Sequence, residues 1–197
     1  GTYYFRAQGS DGCWGPQGSA TVTVNPLPTA AIVSGSGTYC DHGTITASNG
    51  SSGTMYFQGT LSGGFSTATP ATSQVITTSG TYYFRAQSAA GCWGPAGNAT
   101  VTINSLPTAY TLTGGGSYCA TGAGVDVALS GSQTGVSYQL YNGVLPVSTP
   151  LSGTGFSIDF GMQTASGIYT VVATNTTSLC NNGMTGQDTI TVNPLPT

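Results

Sequence analysis

Seven formally charged side chains and one histidine hold nearly all the acid–base chemistry this 197-residue chain can offer: Arg6, Arg85, Asp11, Asp41, Asp126, Asp159, Asp188 and His42. Neither Lys nor Glu occurs. Asp41-His42, among many serines, suggests a hydrolytic relay, but a triad needs a base oriented by a buried acid and a strained nucleophile elbow, and no Gly-x-Ser-x-Gly joins a strand to a helix. Five scattered Asp leave no repeated acid pair for glycoside hydrolysis. No Asp-x-Asp occurs, so a calcium site would depend on carbonyls. A single His and the absence of Cys-x-x-Cys exclude a zinc site. Two isolated arginines in a chain of net charge −3 cannot neutralise a phosphate backbone. Catalytic, cofactor and metal residues are therefore expected to be none, and nucleic acid is set aside.

The elements that would have to position these residues are read from self-comparison. Residues 1–40 slide onto 80–119 with 27 identities, a period of 79. The landmark Gly1-Thr2-Tyr3-Tyr4-Phe5-Arg6-Ala7-Gln8 recurs from Gly80 and, diverged, as Gly167-Ile168-Tyr169-Thr170-Val171-Val172-Ala173. Each copy closes on a similar signature, at Asn25-Pro26-Leu27-Pro28-Thr29, Asn104-Ser105-Leu106-Pro107-Thr108 and Asn193-Pro194-Leu195-Pro196-Thr197. The last copy carries an insertion about one hairpin long. The parse is a C-terminal fragment of one domain at 1–29, a complete domain at 30–108 and a second, with the insertion, at 109–197. Charged residues make up 4% of the chain against roughly 25% in an average soluble protein. With 31 Gly and 10 Pro, that composition could suggest disorder, but 11 Tyr, 6 Phe and many Val and Ile favour packed β structure. No apolar run approaches the roughly 20 residues of a membrane helix.

Period-two alternation predicts strands near 31–34, 44–48, 55–58, 74–77, 81–87 and 99–103 in the middle repeat. In the last repeat they are expected near 111–113, 125–129, 137–141, 144–147, 156–159, 168–174 and 189–192. Tyr141-Asn142-Gly143-Val144 predicts a type I′ hairpin centred on Asn-Gly. Six or seven short antiparallel strands per repeat imply an all-β fold of tandem immunoglobulin-like sandwiches.

The run Gly-x-Tyr-x-x-x-Ala, a loop cysteine, a Thr-Val-Thr-Val strand and Asn-Pro-Leu-Pro resembles the tandem immunoglobulin-like domains of large secreted and cell-surface proteins of the Bacteroidota, of the type associated with gliding-motility C-terminal sorting domains. The resemblance implies export, commonly by the type IX route, and a role as a stalk or adhesin module. It also implies an O-glycosylation motif at Asp188-Thr189-Ile190, with Thr189 pointing outward.

Cys40 and Cys119 occupy equivalent places after a first strand, and Cys92 and Cys180 lie in the loop between the last two strands. Intradomain bridges Cys40–Cys92 and Cys119–Cys180 are expected. Closing about 53 residues would stabilise each domain by roughly 4 kcal/mol. Cys13 is left as half of a pair whose mate lies some 52 residues upstream, so the chain is expected to be a window on a longer array. The competing reading has residues 1–29 complete a sandwich by strand exchange.

Tyr3, Tyr82 and Tyr169 stand where a tyrosine corner is expected. Counting by two from Tyr82 puts Phe84 and Ala86 inside and leaves Tyr83 and Arg85 outside, as with Tyr4 and Arg6. Such pairs could stack on sugars or a partner, or serve as cross-strand contacts on a sheet face, which their absence from the last repeat favours. Trp14 and Trp93, each after a cysteine in Gly-Cys-Trp-Gly-Pro, could bind a ligand as surface contacts at a domain tip or cover the disulfide and the joint, and the second role is expected. The sequons at Asn49, Asn98 and Asn175 are chance matches in a Thr- and Asn-rich chain.

The expected function is a structural, adhesive segment of an extracellular rod or filament whose short Leu-Pro-Thr joints keep it semi-rigid. Its partners are neighbouring repeats, with other copies of the chain in a fibre and surface polysaccharide as further candidates. The alternative is a carbohydrate-binding accessory module of a secreted enzyme; the chain is not expected to be an enzyme itself.

Overall fold

The computed structural model describes residues 1–48 and 53–196; the Asn49 sequon lies outside them. Among the described residues every regular element is a strand. The chain divides into two compact units, one of 1–37 and 44–101, the other of 38–43 and 102–197.

The first unit opens with a hairpin, β1 (Thr2–Phe5) and β2 (Gly18–Thr21), in which Tyr3 faces Ala20 and Phe5 faces Gly18. Both strands are exposed throughout. The middle repeat supplies β3 (Ile32–Ser34), β4 (Gly37–Cys40), β5 (Gly43–Ser48), β6 (Thr54–Phe57), β7 (Ser73–Ile76), β8 (Gly80–Gln87) and β9 (Gly97–Asn104). These form two sheets, β3-β5-β7 and β4-β9-β8-β6. The expected alternation appears in β5 and β8, where Ile45, Ala47, Tyr82, Phe84 and Ala86 are buried and their chain neighbours are not. With Met55, Ile76, Ala99 and Val101 these residues fill the space between the sheets.

The last repeat supplies β10 (Leu112–Gly114), β11 (Gly116–Cys119), β12 (Val125–Leu129), β13 (Val136–Asn142), β14 (Leu145–Pro146), β15 (Leu151–Ser152), β16 (Ile158–Gln163), β17 (Gly167–Asn175), β18 (Asn181–Gly183) and β19 (Asp188–Asn193). One sheet is β10-β12-β16; the other runs β11-β19-β17-β13-β14, with β15 on β13 and β18 on β17. Inward-facing residues of β12, β13, β17 and β19, among them Val127, Leu129, Tyr138, Leu140, Val171 and Ile190, form its core. Short strands in two facing sheets, with β13, β17 and β19 hydrogen-bonded side by side, make this an immunoglobulin-like β-sandwich.

The tyrosine corners form as expected at Tyr82, whose hydroxyl donates to the Thr78 carbonyl (2.8 Å), and at Tyr169, which donates to Ala165 (2.8 Å). Tyr3 is 57% exposed. The β13–β14 hairpin corrects the turn expectation. Asn142 pairs with Leu145, so the two-residue loop is Gly143-Val144, and only Gly143 of that tetrad has positive φ, 61°. Asn142 stays in the ladder because it faces Tyr169 of β17 and its side-chain amide donates to Ser166 O.

Candidate functional site

Strand β8 directs Tyr83 and Arg85 away from the core, and both are half-buried. Arg85 Nε donates to Gly94 O (2.9 Å) in the loop before β9, and its Nη1 donates to Gly64 O (3.0 Å) in the loop after β6. The guanidinium lies 4.8 Å from the ring centre of Phe65 and 5.5 Å from that of Trp93. Trp93 also meets Phe65 edge-on, centroids 5.9 Å apart, and Tyr56, at 5.6 Å. Tyr56 arrives by register, directly opposite Arg85 on β6.

Phe65 is held in place by Gln58, which is 5% exposed. Its Oε1 accepts from Ser66 N (2.8 Å), and its Nε2 donates to the carbonyls of Ser66 (3.1 Å) and Tyr56 (3.3 Å). The result is an arginine clamped between two carbonyls and flanked by aromatic faces, with Phe65 itself 66% exposed. Such an arrangement can stack flat apolar surface and supply stabilising cation–π contacts.

The structure thus brings Arg85 and Trp93 together with two residues the sequence did not single out. Phe65 lies in a Gly-Gly-Phe loop outside any alternation, and Tyr56 could have been found only from cross-strand register. Tyr83 shares the outer face of β8 but has no ring partner among those of the cluster. In the first copy Arg6 Nε makes the corresponding bond to Gly15 O (3.1 Å), while Tyr4 and Trp14 are 64% and 57% exposed. At the corresponding places the last repeat has Thr170, Val172 and Asn181.

The cysteines overturn the expected pairing. Cys40 bonds to Cys180, 140 residues away with Cα atoms 5.6 Å apart, and Cys13, Cys92 and Cys119 are free. Neither Cys40–Cys92 nor Cys119–Cys180 forms. Cys40 ends β4, and the next residue, Asp41, donates its N–H to Asn104 O (2.9 Å) at the close of β9. On the other side Asn182, two residues after Cys180, donates its side-chain amide to Pro107 O (2.8 Å). Both cysteines are therefore held against the Asn104–Pro107 segment, and both belong to the second unit. Trp93 consequently covers no disulfide and packs on Arg85, Phe65 and Tyr56 instead.

Asp126 and Asp159 are neighbours in the last repeat only; the middle repeat has a single acid, Asp41, and so no equivalent pair. The β12–β16 pairing, irregular between Asp126 and Ala128, sets Ala128 opposite Asp159 and brings the two side chains within hydrogen-bonding reach. Desolvation, then the hydrogen bond to Asp159 and its charge, push the Asp126 carboxyl above its ordinary value. Asp41 and His42 form an exposed pair at 2.9 Å. Thr189 faces outward and Ile190 is buried, as the alternation requires.

No family model matches the chain, and no curated protein matches it. Solved structures do. The human OSCAR ligand-binding domain aligns at 13% identity over 83% of this chain and 97% of that one, TM-score 0.33. The chicken CNTN1 FN1–FN3 domains align at 14% identity over 94% of this chain and 75% of theirs, TM-score 0.34. SGBP-B of the Bacteroides ovatus mixed-linkage glucan utilization locus, in complex with a mixed-linkage heptasaccharide, aligns at 19% identity over 98% of this chain and 53% of that one, TM-score 0.26.

Proposed function

We propose that the chain is a structural, adhesive repeat segment of a long extracellular surface protein or filament, of the kind its closing signatures resemble in the Bacteroidota. One observation carries the reading: the Cys40–Cys180 bond joins residues that the sequence assigns to two successive repeats. A disulfide persists in an oxidising, extracytoplasmic setting. Placed between repeats, it shields the enclosed chain from tension, as suits a stalk under pull. A surface of Ser, Thr and Asn with 4% charged residues keeps its properties across salt and pH.

Pulling the full chain by its ends tests this. With the bond intact, the 140-residue span between the cysteines cannot lengthen; reductant should release about 480 Å of additional extension. Full extension without reductant would overturn the reading.

A carbohydrate-binding role is the second reading, and the Arg85–Phe65–Trp93 cluster favours it. Electrophoresis through polysaccharide-loaded gels should show no retardation. Retardation by one polymer, lost in the double variant Phe65→Ala/Trp93→Ala, would put the binding module first.

A further inference from the structure

We propose that the cysteines of this repeat bond in a relay: the cysteine ending the Gly-x-Tyr-Cys strand of one repeat pairs with the loop cysteine of the next. Cys92 then takes the strand cysteine of a preceding repeat, and Cys119 offers itself to the loop cysteine of a following one. The inference deepens the structural reading by naming the partner, a second repeat of this sequence type.

Cys40–Cys180 is the template. Each of its ends has a free equivalent in the same environment. Cys119 lies 79 residues after Cys40, in the same Gly-x-Tyr-Cys context. Asp41 N–H donates to Asn104 O, and Ala120 N–H donates to Asn193 O (2.8 Å), so both strand cysteines sit beside the asparagine that opens a closing signature. The loop cysteines are matched as closely. Asn175 N–H donates to Cys180 O (2.8 Å), Ser88 N–H to Cys92 O (2.9 Å) and Gly9 N–H to Cys13 O (2.8 Å), closing three similar loops.

Each complete repeat's loop also rests on the proline of the preceding signature. Asn182 bonds Pro107 O, and Gly94, at the corresponding position, lies so close to Pro28 that an added Cβ would come within 2.8 Å of its carbonyl oxygen. Pro28 and Pro107 are both buried. Cys92 therefore stands to the 25–29 segment as Cys180 stands to 104–108.

In the second unit the Cys40 segment touches both the signature asparagine and the loop cysteine. The corresponding place in the first unit is a groove of about 670 Å³ lined by Asn25, Pro26, Gly53, Ser88, Ala89 and Ala90. Its walls are the closing signature, the residues just before Cys92 and the start of β6, and the first two belong to the elements a strand cysteine must reach. The groove's occupant is the Gly-x-Tyr-Cys strand of the repeat to which 1–29 belongs. Bond formation takes two thiols to one disulfide; the two electrons and two protons pass to oxidised glutathione, giving two reduced molecules.

The test extends the 197-residue chain by a second copy of residues 30–79 fused before Gly1, which keeps the period of 79. After folding in a glutathione buffer, alkylation and non-reducing peptide mapping should link the added copy of Cys40 to Cys92. The native Cys40–Cys180 link should be recovered, with Cys13 and Cys119 alkylated. An added Cys40 bonded to Cys13, the intradomain alternative, would overturn the relay, as would an alkylated Cys92.

A second measurement needs no extension. The peptide of residues 35–44, as its glutathione mixed disulfide, is offered to the unextended chain. The Cys92 thiolate attacks the peptide sulfur and glutathione leaves as the thiolate, so the exchange is balanced. Cys92 should form the adduct at least tenfold faster than Cys13, although Cys13 is the more exposed. Equal modification of Cys13, Cys92 and Cys119, or loss of Cys40–Cys180 from the unextended chain, would overturn the proposal. Failure at Cys92 alone leaves the pulling result for Cys40–Cys180 to be judged separately, whereas loss of Cys40–Cys180 overturns both readings.

Discussion

Asp188 carries a side-chain oxygen that is buried and without a hydrogen-bond partner among the described residues. Burial pushes its carboxyl above the ordinary carboxylate value. The sign of the consequence follows from linkage. Below the unfolded-state value the group is protonated in both states and costs nothing extra. As pH rises through the raised folded value, ionisation in place becomes unfavourable and stability falls. Asp188→Asn removes the charge but not the polar atom, and should therefore stabilise the last repeat by about 1 kcal/mol at pH 7, because an unpaired buried group costs more when charged than when neutral. The gain should vanish near pH 3, and urea unfolding at the two pH values measures it. Asp126→Asn should act in the same direction but by less, since Asp126 is exposed and its interaction with Asp159 is screened by water. An Asp188 gain that persists unchanged at pH 3 would show that packing, not charge, is responsible.

At the scale of elements, the alternating strands are legible in the sequence, short ones such as β3 and β10 included, whereas β4, β11, β15 and β18 are not. β8 and β17 were found because Tyr82, Phe84 and Ala86, and likewise Tyr169, Val171 and Ala173, point inward at period two. β4 and β11 show no such period: Gly37–Cys40 and Gly116–Cys119 bury none of their residues fully. Backbone pairing defines such strands, as in the parallel register of β11 with β19, and hydropathy cannot report it. β4 and β11 each end on a cysteine, so the expected intradomain bridges follow from reading those two segments as loops. The aromatic cluster was half legible for a related reason: Arg85 and Trp93 sit in a repeated motif, whereas Phe65 is placed by the Gln58–Ser66 bonds of a loop. The β13–β14 hairpin gives this scale its prediction. Gly143 has φ of 61°, and a Cβ there would meet nothing within 4 Å, so Gly143→Ala should pay only the backbone cost of the left-handed region, about 1 kcal/mol. Gly143→Asn should cost less, because Asn tolerates that region. Thermal unfolding of the pair separates the two; equal losses would mean the loop's conformation is not the source.

For the molecule as a whole, the compact units and the sequence repeats are offset, since 38–43 leave the middle repeat and join the second unit. The one disulfide lies entirely within that unit, and the first unit holds together by noncovalent contacts alone among the described residues. Reductant should therefore act on one unit and spare the other. Of the 140 residues the bond encloses, 44–101 belong to the first unit, and opening the remaining loop of about 80 removes roughly 4.5 kcal/mol in the chain-entropy description. For a domain near 100 residues each kcal/mol lowers the melting temperature by about 4–8 °C, so the second unit should melt roughly 20 °C or more lower when reduced. Calorimetry should resolve one transition that moves by that amount and one that does not, the stationary one belonging to the unit that contains Tyr82 and Phe84. Cys40→Ser should reproduce the reduced trace without reductant, whereas Cys92→Ser, a change to a free thiol, should leave both transitions in place. Two transitions falling together on reduction would mean that the units unfold as one cooperative body; neither moving would mean that the bond contributes nothing to native stability.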